Sequence, residues 1–246
     1  MKEKLIMKKL IYLFLTLVTT TTFAQENTLE KIDAFRVPYR EFLIRTKIVT
    51  YEKDELKETA IFDAYMNGND KSLVVAKEYK TRGMKLLYVE ENMWVQLPNS
   101  QRPIRITPIQ RLMGEASNGD VARVSLADDY TAEIIGAEKV NGVACHKMQL
   151  MAKKKSATYN KIILYVRQED FRPVKAEYFV ISGKHIKTAF FESFRPIAGR
   201  TILEKMTIYD ELKKDSKTIF EYLKIEEKKI PIKYFNKNYL IHVTDL

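Results

Sequence analysis

The chain has 246 residues, of which 46% are apolar and 30% charged, with eight glycines and seven prolines. That composition is ordinary for a globular protein and excludes whole-chain disorder, collagen-like repeats and low-complexity architecture. One cysteine excludes an intramolecular disulfide and a multi-cysteine zinc site, three histidines are few for a metal enzyme, and a formal charge of +10 falls well short of a nucleic-acid-coating protein, so no nucleic acid partner is expected.

The N-terminus has the three parts of a secretory signal. Lys2, Lys4, Lys8 and Lys9 form a basic start, Leu10 to Val18 is apolar except for Thr16, and Thr22-Phe23-Ala24 supplies small residues before a cleavage site. The apolar stretch is shorter than the roughly 20 residues a membrane span needs. Residues 1–24 are therefore expected to be a signal peptide cleaved after Ala24, and residues 25–246 a single exported domain. Its removal takes four Lys and one Glu, leaving 38 basic and 31 acidic groups and a net charge of +7.

Residues 28–36 predict a short helix, with Asn27 or Thr28 as cap, Leu29, Ile32 and Phe35 on its apolar side and Pro38 as its stop. Two-residue alternation then dominates. Phe42, Ile44 and Thr46 share one face, as do Phe62, Ala64 and Met66, and Asn67-Gly68-Asn69-Asp70 marks a hairpin turn. The alternation runs on to Leu97 and returns from Tyr130 to Ile225, with further turns at Asn141-Gly142 and Ser182-Gly183. About eleven strands joined by short turns, without helical crossovers between them, predict a mainly β protein built on an antiparallel meander.

One segment breaks the meander. Ile109, Leu112, Met113 and Ala116 fall at i, i+3, i+4 and i+7, with Gln110, Arg111 and Glu115 opposite, which predicts an amphipathic helix over 108–117. Such a helix has to pack on one face of the sheet, as a fixed cap or as a lid. Asn118-Gly119-Asp120 would end it.

Groups for chemistry are scarce. Cys145 and His146 are neighbours on a predicted strand and point to opposite faces, so they do not form a nucleophile–base couple. Asp128-Asp129 reads as a turn, and no metalloprotease, nucleophile-elbow or phosphate-loop motif is present. Neither a metal, a cofactor nor an enzymatic activity is expected. The runs Lys153-Lys154-Lys155, Lys213-Lys214 and Lys228-Lys229 sit in or beside predicted turns, as solvated tips or as contacts to an anionic membrane or an acidic partner.

Several short runs resemble, in order, the LolA-like outer-membrane lipoprotein-sorting family. They are Met93-Trp94-Val95-Gln96-Leu97-Pro98, then Arg102, Arg105-Ile106 and Met113-Gly114, then Asp129-Tyr130, Gly136, Val140-Asn141-Gly142 and Cys145. Leu164-Tyr165-Val166, Arg172 to Tyr178 and Tyr239-Leu240 complete the pattern over roughly residues 60–240. Leu112 to Asp120 departs from it, in the segment that would cover the cavity mouth. The resemblance implies an incomplete β-barrel, a strongly curved antiparallel sheet whose apolar concave side is covered by short helices. It implies a periplasmic carrier of lipoprotein or lipid acyl chains, with an inner-membrane transporter and an outer-membrane acceptor as partners, to which the basic runs add transient contact with an anionic membrane surface. Some related domains instead sense envelope stress by binding a protein. On this reading Trp94, Ile109, Leu112, Met113 and Ala116 are the candidate acyl-chain contacts.

Overall fold

The structure is a computed structural model that describes residues 28–246 except 69, 79, 81, 124 and 245. The predicted signal segment, its cleavage site and Asn27 lie outside the described residues. Helix α1 covers residues 28–33 and gives way to a turn over 34–36, so the predicted helix is shortened at its end. Its Leu29 and Ile32 are buried, and Phe35 beyond it meets Phe194 edge-on at 6.0 Å.

The strands are β1 (Glu41–Glu52), β2 (Glu55–Asn67), β3 (Lys71–Glu78), β4 (Lys85–Val89), β5 (Asn92–Gln96) and β6 (Ile104–Ile106), then β7 (Arg111–Met113), β8 (Ala116–Ser117) and helix α2 (Asn118–Ala122). After these come β9 (Tyr130–Val140), β10 (Val143–Ala152), β11 (Lys161–Arg167), β12 (Pro173–Phe179), β13 (His185–Ile197), β14 (Arg200–Asp210) and β15 (Ser216–Glu227). Two short 3-10 helices, Ile232–Phe235 and Lys237–His242, follow. Thirteen strands form one antiparallel sheet in the order β6-β5-β4-β3-β2-β1-β15-β14-β13-β12-β11-β10-β9, and β7 and β8 pair only with each other. The expected eleven strands were too few because β6, β7 and β8 are too short to show an alternation.

The chain thus starts in the middle of its sheet. It steps outward from β1 to the edge at β6, crosses to the opposite edge at β9, and steps back until β15 pairs with β1. Residues of β2, β3 and β4 meet residues of β13, β14 and β15 in one core cluster, which places them on the inner face of a strongly curved, unclosed sheet. The other half of the inner face, from β9 to β12, packs on α1. The outer face of β1 to β5 is covered by Tyr234, Phe235, Leu240 and Val243 of the C-terminal segment. Both faces of β3 and β4 are therefore dry, and β3 shows five consecutive buried residues, Ser72 to Ala76, where alternation was predicted.

Short turns set the register. In the β9–β10 hairpin, Asn141 and Gly142 have φ of 49° and 82°, the doubly left-handed turn that matches strand twist.

The predicted helix over 108–117 is not formed. Gly114 takes φ of 51°, and Met113 pairs with Ala116 across a two-residue turn at Gly114-Glu115. A left-handed residue in mid-segment ends an α-helix, and the spacing i, i+3, i+4, i+7 is produced here by a tight ribbon followed by α2. The helix begins after Ser117, whose N–H donates to the Asp120 carboxylate at 2.8 Å, one half of a capping box.

A Cβ added at Gly114 would lie well inside van der Waals contact with Thr50 Cγ2 and Thr218 Oγ1, whereas one added at Gly136 meets nothing within 4 Å. Gly114→Ala combines that clash with left-handed strain and should lose about 1–3 kcal/mol in urea unfolding. Gly136→Ala should stay close to the parent protein in the same measurement.

Candidate functional site

Residues 107–129 cross the inner face between the two sheet edges, and their docking builds the site. The turn of the β7–β8 ribbon rests on the centre of the sheet. Glu115 N–H donates to Thr218 Oγ1 at 2.8 Å, and Ser216 Oγ donates to Glu115 Oε1 at 3.0 Å. Burial raises the proton affinity of the Glu115 carboxyl. Met113, Ala116, Val121 and Ala122 enter the main core cluster, Met113 being only 2% exposed. Ser72 Oγ on β3 donates to the Ala122 carbonyl at 2.6 Å, which holds the end of α2. The exit of the crossover is gripped by Asp33 on α1. Its carboxylate accepts from Leu126 N–H at 2.8 Å, Ala127 N–H at 2.9 Å and Ser125 Oγ at 3.1 Å.

Charged and phenolic groups lie under the crossover. Lys187 Nζ on β13 donates to Ser117 Oγ at 2.6 Å and to Tyr159 OH at 3.2 Å, and reaches Asp120 Oδ2 at 3.5 Å. Tyr159 OH donates to the same carboxylate at 2.8 Å. Burial, then the Asp120 charge, pushes the Tyr159 phenol well above its usual range. Arg123 lies 4.2 Å from the ring centroid of Tyr88, pairs with Asp129 and donates to the Ser156 carbonyl at 3.1 Å. It thereby ties β4, the crossover and the β10–β11 loop together.

Among the described residues the filled inner face leaves small cavities of about 20 and about 50 Å³, both lined by Arg36 and Asp120. They have room for one to a few waters and are too small for an acyl chain. The larger space is at the mouth, a groove of about 670 Å³ between the β4–β6 edge and the β10–β11 loop, lined among others by Met93, Ile106, Ile109 and Lys155. Across this seam Lys154 Nζ stands 3.8 Å from Glu91 Oε1.

The predicted contacts separate into three places. Met113 and Ala116 lie in the inner core, with Leu112 packed beside them. Ile109 is exposed and lines the mouth groove. Trp94 faces the other way, packed on the outer face beneath the C-terminal segment, with Lys237 Nζ at 5.8 Å from its ring. Trp94 is therefore not brought together with the crossover residues: its strand neighbour Met93 points inward, and one step along a strand reverses the face. Cys145 and His146 part in the same way, Cys145 into an outer-face cluster and His146 onto the ring of Phe171. Arg36, Tyr159 and Lys187 went unnoticed in the sequence, and Asp120 was read only as part of a helix end, because the four lie far apart along the chain. The Ser117…Asp120 spacing is a further local signal for this region. Among the described residues no group of three or more His, Cys, Asp or Glu is placed to hold a metal ion.

A curved, open antiparallel sheet with a crossover lodged in its concave side defines a half-barrel binding fold. A family model described only as an uncharacterized protein matches residues 68–242. A search of curated proteins finds no match. Among solved structures the chain is similar to a LolA superfamily protein from Nitrosomonas europaea, with 31% identity, a TM-score of 0.81, and coverage of 87% of this chain and 98% of that one. It is also similar to a DUF1329 family protein from Desulfovibrio piger, with 21% identity, a TM-score of 0.74, and 89% and 98% of the two chains covered. A third similar structure is a Vibrio parahaemolyticus protein described as an outer membrane lipoprotein-sorting domain, with 16% identity, a TM-score of 0.74, and 89% and 99% covered. The last two share the fold. The identity and coverage of the first settle the family: the chain belongs to the LolA superfamily.

Asp33 makes the grip on the crossover sensitive to pH. Burial pushes its carboxyl up to about 6 from the ordinary 3.8, against the Ala127 and Leu126 N–H groups that pull it down. At higher pH the folded and unfolded states are both ionised, and the buried charge is a cost. Between about pH 6 and pH 4 only the folded state takes up the proton, so stability rises as pH falls, by up to about 3 kcal/mol. Asp33→Asn carries no charge at any pH, and urea unfolding across that window should show the gain removed.

Proposed function

We propose that the protein is a periplasmic carrier that shelters acyl chains of lipoproteins or lipids on their way to the outer membrane. The observation that carries this reading is the crossover. It covers an apolar concave face with few large apolar side chains, and it is fastened by hydrogen bonds and an ion pair at its middle, to Ser216, Thr218 and Lys187, and at its exit, to Asp33. An insert held in that way can give place to an apolar guest. Exposing a large side chain such as Met113 costs roughly 1.5–3 kcal/mol, whereas a chain of about 16 carbons gains on the order of 12 kcal/mol at about 0.8 kcal/mol per methylene. Uptake and release of this kind need no catalytic group. Membership of the LolA superfamily and the likeness to the Vibrio parahaemolyticus lipoprotein-sorting domain support the same assignment. On this reading an inner-membrane transporter loads the carrier and an outer-membrane acceptor unloads it.

The small residual cavities favour a second reading, an envelope-sensing module that keeps its inner face filled and binds a protein partner. Lipid binding separates the two. The carrier should bind a fluorescent fatty acid saturably, lipid should compete with it, and amide exchange over residues 111–122 should rise as the guest enters. Met113→Glu should weaken that binding while unfolding the protein less than Leu164→Glu, which places a charge among β11 side chains buried against α1. Folded protein that binds no lipid leaves the sensing module as the better account.

Export is the second part of the proposal. N-terminal sequencing of protein recovered from the periplasm should begin at Gln25. An intact Met1 in a membrane pellet would refute cleavage after Ala24.

A further inference from the structure

The outer face carries a second feature that acyl-chain shelter does not use. From Lys228 to Thr244 the sequence has four lysines, one histidine and no acidic residue, before Asp245. The structure sorts this segment into two faces. Tyr234, Phe235, Leu240 and Val243 point into the outer core over β3 and β4. Lys228, Lys233, Lys237, Ile232 and Ile241 point to solvent, with Ile232 65% and Ile241 41% exposed. Lys233 Nζ lies 4.9 Å from the ring centroid of Tyr239, and Lys237 lies over Trp94. Aromatic rings, not carboxylates, hold these ammonium groups, and Lys228, Lys233 and Lys237 make no ion pair among the described residues. Lys229 alone of the four is near an acid, 3.8 Å from Glu41.

A groove of about 400 Å³ opens beside this segment, walled by Val243, Thr244 and Leu246 on one side and by Lys77, Arg82 and Lys85 on the other. Its described lining contains no Asp or Glu side chain. Lys77 Nζ donates to the main-chain carboxylate of the terminal Leu246 at 2.7 Å, which leaves Arg82 and Lys85 as the lining cations without an acid partner among the described residues. Lys85 is half-buried and meets no acceptor or carboxylate among the described residues, and burial alone lowers the proton affinity of its ammonium group. A half-buried, unpaired cation is a cost that an incoming anion relieves.

We propose that the C-terminal segment and the adjoining groove form a docking face for an anionic phospholipid surface. Ile232 and Ile241 enter the interfacial layer, the lysines around them face the anionic headgroups, and one headgroup phosphate seats against Lys85 and Arg82. Exposed isoleucines interspersed with unpaired lysines are the composition of an interfacial anchor, and it is this mixture that favours a membrane over an acidic protein. The proposal does not depend on what fills the inner face.

Sedimentation with vesicles tests it. The full mature chain should bind phosphatidylcholine vesicles that contain phosphatidylglycerol, should ignore pure phosphatidylcholine, and should be released by salt. Lys233→Glu combined with Lys237→Glu should weaken binding roughly tenfold or more, and Ile232→Ser and Lys85→Gln should each weaken it by a smaller factor. All four positions are exposed or half-buried, and near-ultraviolet circular dichroism reports whether the fold is kept; Lys→Gln versions at 233 and 237 serve if the reversals disturb it. Fatty-acid binding to the inner face should be unchanged in these variants, so failure of this proposal is distinct from failure of the carrier reading. Equal binding to neutral vesicles overturns the proposal, as does full binding by the folded double variant. Loss of binding on reversing Lys153 and Lys155 instead would place the contact at the mouth and overturn it too.

Discussion

The two edges of the sheet do not pair, yet the chain leaves one edge at β6 and re-enters at the other, β9. Its connection, residues 107–129, runs across the concave side, and the rest of the interior follows from that route. Backbone carried through a dry interior has to satisfy its own N–H and C=O groups. The crossover does so in short pieces: a two-strand ribbon, one turn and a half of helix, and a final stretch whose N–H groups are accepted by Asp33. Polar side chains are buried in this protein because a crossing backbone needs partners, and Thr218 and Ser72 serve in that way, while Ser216 donates to the buried Glu115 carboxylate.

The same route accounts for how the sheet is covered. The inner face is shared between the crossover and α1, and the outer face of β1 to β5 is closed by the C-terminal segment. Strands β3 and β4, covered on both faces, are buried along consecutive residues instead of alternating. The sheet edges are managed differently: β6 is only three residues long, and β9 carries Glu133, Glu138 and Lys139 along its exposed length. Short or charged edges resist pairing with another chain, so an unclosed sheet can persist without polymerising.

Two kinds of force therefore meet at the concave face. Methionine and alanine side chains supply apolar contact that any apolar guest could replace. The Lys187–Asp120–Tyr159 cluster and the Arg123–Asp129 pair supply contacts that an acyl chain could not replace. Buried pairs of this sort contribute specificity of arrangement more than stability. They fix the crossover in a single position on the face.

Much of the architecture was legible along the chain because sheet meanders are local. Alternating side chains and turn residues at Asn67-Gly68 and Asn141-Gly142 are signals read within a few residues, and they gave the mainly antiparallel β fold. The runs from Met93 to Pro98 and from Arg172 to Tyr178, in their order, gave the family resemblance. The crossover was not legible. Ile109, Leu112, Met113 and Ala116 satisfy a helical period, but Gly114 packs onto Thr50 and Thr218 at the centre of the sheet, where a Cβ does not fit, and takes a left-handed turn. Only the tertiary structure sends Trp94 outward, since the parity of a strand has no meaning until its sheet has an inside. Only the tertiary structure brings Asp33 to residue 126, and Lys187 to Asp120, across separations that no local pattern spans. Sequence determines which segments form strands, because that choice is made between neighbours; which groups meet under the crossover is decided by curvature, because the sheet must bend before its far strands can touch.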